Sequence, residues 1–215
     1  QFADEGSMKP FARDLGGVLG AATFHGGRPL GFSGFDVGAR FGGQFYPSKG
    51  NNILRNNGVR LFGLPWVQAE IGLPFKLDGF IRGVSYQGLT IAGGGVRWGV
   101  YSVSDKPWAP HLLVSAVGHS VVHQHFLASH FGANLVLSSG NAVFVPFVGA
   151  GLDRTRLLAR ASTLDTSVIG RVYTTAEARF TAGFRVKPYQ FTYFNLAYFH
   201  AHGQSGAEGG LGLRF

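Results

Sequence analysis

Histidine is the first residue type here whose placement invites chemistry. His119, His123, His125 and His130 fall in one short stretch and His200 and His202 in another, so six of the eight histidines gather in two places. Neutral imidazole is a ligand for Zn, Cu or Ni, and i, i+2 spacing puts two side chains on one face of an extended chain. A metal site drawn from His123, His125, His200 and His202 is therefore one expectation. The plainer alternative is that amphipathic side chains populate the ends of extended segments, and no HExxH-type motif accompanies them.

Nucleophilic chemistry is harder to build. Serine adjoins histidine at His119-Ser120 and at Ser129-His130. A nucleophile needs its base within hydrogen-bond reach, and neighbours on a strand point to opposite faces, so neither pair can act by itself. The expectation is a protein with no catalytic residues and no cofactor.

The remaining polar chemistry follows a parity. From 172 to 186, Val172, Thr174, Ala176, Ala178, Phe180, Ala182, Phe184 and Val186 alternate with Tyr173, Thr175, Glu177, Arg179, Thr181, Gly183 and Arg185. The same rhythm sets Phe35, Val37, Ala39, Phe41, Gly43 and Phe45 against Asp36, Gly38, Arg40, Gly42 and Gln44. It sets Phe131, Ala133, Leu135 and Leu137 against Gly132, Asn134 and Val136. Soluble sandwiches alternate too, but their strands usually run five or six residues. Segments of ten or more suit tilted strands that cross lipid.

Composition agrees. The 215 residues are 45% hydrophobic and 14% charged, with 34 Gly, 20 Phe and no Cys. No apolar run approaches the roughly 20 residues of a spanning helix, and the other fold that satisfies every backbone group in lipid is a closed barrel. The net charge of +8 is spread along the whole chain rather than gathered in a patch, which argues against nucleic acid as a partner.

The expected architecture is all-β, a closed antiparallel up-and-down transmembrane barrel. Ten strands are placed near 32–46, 58–73, 78–87, 90–103, 110–122, 126–138, 142–153, 171–187, 190–201 and 205–215, with eight or twelve as alternatives. Short turns at 74–78, 104–110, 138–141 and 187–189 would face one side, and the long connections 47–57 and 153–170 the other. Pro65 and Pro146 fall inside strands, where β-bulges are expected; at Pro65 the alternation also shifts phase, as a bulge would require. On this parity the lumen receives Asp36, Arg40, Gln44, Gln68, Glu70, Arg97, Glu177, Arg179, Arg185, Glu208 and Arg214, either as a lattice of interior ion pairs or as a charged constriction that favours anions.

The chain ends with Leu211, Leu213 and Phe215 on one face. After nine strands of this kind, that ending resembles the terminal strand that small bacterial outer-membrane barrels present to the barrel-assembly machinery. The resemblance covers residues 32–215. It implies the bacterial outer membrane as the location, with the assembly machinery, outer-membrane lipids and lipopolysaccharide as partners and both chain ends in the periplasm. Lipid hydrolases and omptin-like proteases share that architecture, but here the long loop carries Arg154, Arg156 and Arg160 rather than extended acidic sequence.

Residues 1–31 do not alternate. Phe11, Leu15, Val18 and Leu19 follow helical spacing behind Pro10, while Gly16, Gly17 and Gly20 each weaken a helix by about 1 kcal/mol relative to Ala. The segment is read as a plug helix over 10–25 entering the lumen, or as a leader at the membrane interface. The functional expectation is a narrow passive channel or carrier for small or amphipathic solutes, restricted by this segment. The alternatives are a structural or adhesive barrel binding lipopolysaccharide or a surface partner and, behind it, a lipid hydrolase or protease.

Overall fold

The computed structural model describes residues 5–86, 88–102, 104, 106–161 and 166–215; residues 1–4 of the N-terminal segment, and Asp165 in the second long connection, lie outside these. Ten antiparallel strands close in chain order into one barrel. They are β1 (Phe35–Phe45), β2 (Leu61–Leu73), β3 (Leu77–Tyr86), β4 (Leu89–Ser102), β5 (Pro110–His123), β6 (Phe126–Ser139), β7 (Phe144–Ala159), β8 (Val172–Val186), β9 (Thr192–Ala201) and β10 (Gln204–Arg214). The seam pairs β1 with β10, Asp36 lying opposite Arg214 on that side and opposite Glu70 of β2 on the other. A helix, α1 (Glu5–Leu19), lies inside the barrel, and a single turn, α2 (Asn52–Arg55), sits in the β1–β2 loop.

Alternation decides which face each side chain meets. Val67, Ile81, Phe131, Leu152, Phe180 and Leu211 are exposed on the outside, while Asp36, Arg40, Gln68, Glu70, Arg97, Arg179 and Glu208 are buried within. An apolar exterior around a polar interior is what hydrocarbon requires of a barrel and water does not. Strands of 10 to 16 residues cover the roughly 9–11 needed to cross a bilayer at a tilt. Among the described residues no helix is long and apolar enough to cross a membrane. The barrel is a transmembrane one.

The rim where β1 begins and β10 ends is termed the base, and the opposite one the loop rim. At the base Tyr101, Trp108, Tyr189 and Phe191 are exposed, and Phe191 stacks on Phe215 with centroids 5.6 Å apart, forming an aromatic girdle. Towards the loop rim the outward positions turn polar at Ser120, Ser129, Arg154, Arg156 and Thr174, which marks the upper limit of the apolar band. The two longest connections, 46–60 and 160–171, lie on the loop rim as expected, together with two-residue turns at 124–125 and 202–203. The second of the long ones is shorter than expected because β7 continues to Ala159, which leaves Asp153 inside a strand.

Three expectations need correction. Register runs unbroken through Pro65 and Pro146, and the shift falls instead between Gly99 and Tyr101. Each proline sits just past the end of one neighbouring ladder: β2 meets β3 only from Val67 onward, and β6 meets β7 only as far as Phe147. A missing donor is tolerated at such a local edge. The apparent phase change at Pro65 has another origin, because Leu64 and Trp66 share the inward parity of Gln68 and Glu70 but face an apolar partner, α1. Finally, α1 spans Glu5–Leu19 rather than 10–25, so Pro10 lies within the helix.

Leu135 lies near the middle of the outward apolar run and Thr174 at its upper limit. In lipid-vesicle unfolding by denaturant, Leu135→Arg is expected to cost about 2–4 kcal/mol and Thr174→Arg at most about 1 kcal/mol. Equal costs would contradict this placement of the membrane.

Candidate functional site

The interior is filled by the chain's own N-terminal segment. In the upper half, Phe11, Leu15, Val18 and Leu19 of α1 pack against inward Leu64, Trp66, Ile91, Val121 and Leu157, with Phe11 edge-on to Phe126. The opposite side of α1 meets a polar wall. Asp14 accepts from Gln44 Nε2 (2.8 Å), Ser48 N (2.9 Å), Ser48 Oγ (2.5 Å) and Asn51 Nδ2 (2.7 Å), and His202 Nε2 lies 3.1 Å away. Arg13 Nε pairs with Glu177 Oε1 at 2.8 Å, and Arg171 pairs with Glu5 at the loop rim. Close approach explains two glycines: a Cβ at Gly16 would overlap Thr155, and one at Gly42 of β1 would overlap Ala21.

Beyond Leu19 the chain is neither helix nor strand, yet it continues down the bore to Gly34 and into β1 at the base. Ala22 takes a left-handed backbone (φ 55°), uncommon for a residue with a Cβ. Its N–H donates to Glu208 Oε2 at 2.8 Å, and Arg82 donates to the carbonyls of Leu19, Ala21 and Ala22. Arg179 donates to the Gly17 carbonyl at 2.9 Å and grips Asp153 Oδ2 through Nε (2.9 Å) and Nη2 (2.5 Å). Lower down, Gly27 N–H reaches Ser138 Oγ at 2.8 Å and Leu30 N–H reaches Asp78 Oδ1 at 2.9 Å. Phe24 packs edge-on against Phe147, 5.9 Å between centroids.

A charge lattice occupies the lower bore. Arg40 Nη2 lies 3.2 Å from Asp36 and 3.3 Å from Glu70, and Arg97 pairs with Glu70. Gln68 Nε2 donates to Glu70 at 2.6 Å, Tyr193 OH to Asp36 at 2.8 Å and Arg214 Nε to Asp36 at 3.1 Å. His25, from the threaded segment, accepts from Arg214 Nη2 at 2.6 Å and stacks on Tyr193. Ligand atoms of His25, Asp36 and Glu70 lie within 4.8 Å of one another, but guanidinium groups already hold both carboxylates, so a metal ion would have to displace them.

The structure thus places Asp36, Arg40, Gln44, Glu70, Arg97, Glu177, Arg179 and Arg185 on the inward face, seven of them divided among three groups and Arg185 lying nearer the base. Gln44 and Glu177 hold α1, Arg179 holds the helix end, and Asp36, Arg40, Glu70 and Arg97 form the lower lattice. The four histidines are not brought together. His123 and His125 sit 5.2 Å apart on the β5–β6 turn, His200 is exposed on the outer wall, and His202 turns inward to Asp14. His119 and His130 are not rim residues; both are buried in the bore, where Arg82 Nε donates to His119 Nε2 at 2.7 Å. Ser120 and Ser129 point outward, away from them. Thr155, His130 and Asp153 do line up inside, with His130 Nδ1 3.0 Å from the hydroxyl and Nε2 3.4 Å from the carboxylate, but Gly16 lies directly on Thr155. The expectation that both chain ends share one side also fails for the described residues: Glu5 sits at the loop rim with Arg171, while Phe215 pairs with Phe35 at the base.

Sequence periodicity did not single out His25, Arg82, Asp153 or Tyr193; His25 belongs to the irregular segment and Arg82 donates to its backbone, which pattern cannot anticipate. No protein-family model and no curated protein sequence matches the chain. Solved structures similar to it include the N-terminal β-barrel domain of Pseudomonas aeruginosa OprF, at 12% identity over 86% of this chain and 99% of that one, with a TM-score of 0.43. Neisserial surface protein A aligns at 12% identity over 84% and 95%, TM-score 0.36. Ail of Yersinia pestis, in complex with the heparin analogue sucrose octasulfate, aligns at 12% identity over 86% and 100%, TM-score 0.35.

Arg179 joins the wall to the threaded segment, so its removal leaves Asp153 buried with less compensation. Arg179→Met is expected to cost about 3–5 kcal/mol in denaturant unfolding, and adding Asp153→Leu should restore much of that loss. A double variant as unstable as the single one would show that the ion pair is not what Arg179 supplies.

Proposed function

We propose that this is a bacterial outer-membrane barrel whose narrow bore is closed at rest by residues 5–34 and passes small solutes, anions favoured, when that segment withdraws. The observation that carries the reading is how the segment is held. It is not a strand of the barrel wall; it crosses the bore as a separate strip, joined to β1 only at the base and gripped by side chains of the wall. The wall closes without it. Withdrawal would take away the carbonyls that Arg82 donates to, which leaves its guanidinium in the lumen to favour anions.

The chain has no cysteine, so one introduced pair reports without background. A Cβ built on Gly16 lies 3.2 Å from Thr155 Cβ, near the roughly 3.5–4.5 Å of a disulfide. In planar bilayers the wild type is expected to show brief openings of small conductance. Oxidised Gly16→Cys, Thr155→Cys protein should be silent and should recover on reduction. Openings that persist after oxidation would remove the segment as the gate, and silence of the wild type and of the reduced pair at every voltage would remove the channel.

A specific observation favours a second reading, adhesion or lipid binding on the outer wall. Arg154 and Arg156 point outward from β7, and Arg156 borders a groove of about 340 Å3 with Ser120 and Ser129 at the upper limit of the apolar band. That is the level of lipid phosphates in the outer leaflet. If the groove takes lipopolysaccharide, Arg154→Gln with Arg156→Gln should weaken its capture by the micellar protein about tenfold or more; unchanged capture would discard this reading.

A further inference from the structure

Below Gly27 a cavity of about 400 Å3 faces the base rim, within the usual range for small-ligand sites. Its basic lining is Arg28 from the threaded segment, Lys106 before β5, His111 of β5, Arg185 of β8, Lys187 just after it and Arg214 of β10. Among its described lining residues there is no carboxylate. Higher in the bore the arrangement differs, since Arg40, Arg97 and Arg179 meet carboxylates and Arg82 meets carbonyls. Arg214 is tied to an acid here, through Nε to Asp36.

Arg185 is the telling residue. Its Nη1 is buried and has no hydrogen-bond partner, although a buried charged donor without an acceptor is costly. Lys187, outside the spanning strands, has its ammonium held below the ordinary lysine range by burial and then by the positive charges of Arg214 and Arg185. These three cations are close enough to repel one another. A bound oxyanion would relieve that repulsion, and guanidinium offers it paired donors in a fixed fork.

We propose that this cavity is a binding site for a small phosphate-bearing anion, with Arg185, Lys187 and Arg214 as its principal contacts. The site exists with the bore closed, so it does not rest on the channel reading. The phosphate has two possible sources at this rim, a soluble anion or the headgroup of a lipid in the adjacent leaflet.

Titration calorimetry of pyrophosphate into the full chain tests this, first in maltoside micelles, which carry neither phosphate nor charge. Saturable binding is expected, weakened tenfold or more by Arg185→Gln and by Lys187→Gln, and unchanged by Lys9→Gln at the opposite rim. Heat-modifiable migration in gels verifies that each variant is folded; Lys187, in the loop after β8, keeps the test usable if Arg185→Gln does not fold. Repeating the titration in phosphatidylcholine nanodiscs with and without phosphatidylglycerol separates the sources. Competition by phosphatidylglycerol assigns the site to a headgroup, and equal affinity assigns it to a soluble anion. No saturable heat in micelles, or binding indifferent to both substitutions in folded protein, overturns the proposal. A protein that binds pyrophosphate yet never conducts loses only the channel.

Discussion

Irregular backbone buried in a barrel must find its hydrogen bonds on the wall, and the rest of this interior is arranged around that requirement. From Gly20 to Gly34 the chain forms neither helix nor ladder. Each buried carbonyl then needs a donor and each N–H an acceptor. Arg82 and Arg179 supply the donors, while Glu208, Ser138 and Asp78 supply the acceptors. Arginine suits the first task because one guanidinium offers five donors in a plane, so Arg82 serves carbonyls of the segment and His119 at once while lying 4.5 Å from the Trp66 ring centre. A lysine there could reach fewer of these acceptors and would not spread flat against the indole.

The same requirement sorts the bore into levels. The helix satisfies its own backbone, so one side of its surroundings is free to be apolar, and Trp66, Ile91, Val121 and Leu157 line that side. Where the helix stops, buried backbone meets charged groups of the wall, Arg82, Arg179 and Glu208. Carboxylates appear where they can balance guanidinium groups, as Asp153 does for Arg179 and Glu70 does for Arg40 and Arg97. At the base Arg185, Lys187 and Arg214 face a cavity with no carboxylate among its described lining residues.

Much of the fold was legible in the sequence because lipid imposes a strict parity on the outer face. Phe131, Leu135 and Leu137 have no other environment to serve, so alternation located β6 within a residue or two. The inward parity is less readable, since it answers to whatever fills the bore. Leu64 and Trp66 look like a phase error beside Gln68 and Glu70 until α1 is seen to pack on them. Asp36, Arg40 and Arg179 were found from parity alone, whereas His25 and the whole path of residues 20–34 were not, because hydrogen bonds to backbone leave no periodic trace. His119 and His130 were placed too near the surface for a related reason: parity gives a side chain's face, but only its distance from the turn gives its depth.

The levels also set the order in which the bore could empty. Exchanging the bonds of residues 20–34 for bonds to water involves a net change of only about 0.5–1.5 kcal/mol each, and Phe24 is the one large apolar side chain this stretch buries against the wall. Withdrawing α1 is different, because Phe11, Leu15, Val18 and Leu19 and the apolar side chains that face them would all meet water, at about 1.5–3 kcal/mol for each side chain exposed. On the proposed withdrawal, loosening would therefore begin at the base, beside the cationic cavity, with α1 the last part to leave. An anion seated among Arg185, Lys187 and Arg214 would act on the end of the segment that is least costly to move, and the apolar contacts of the helix would hold the rest in place.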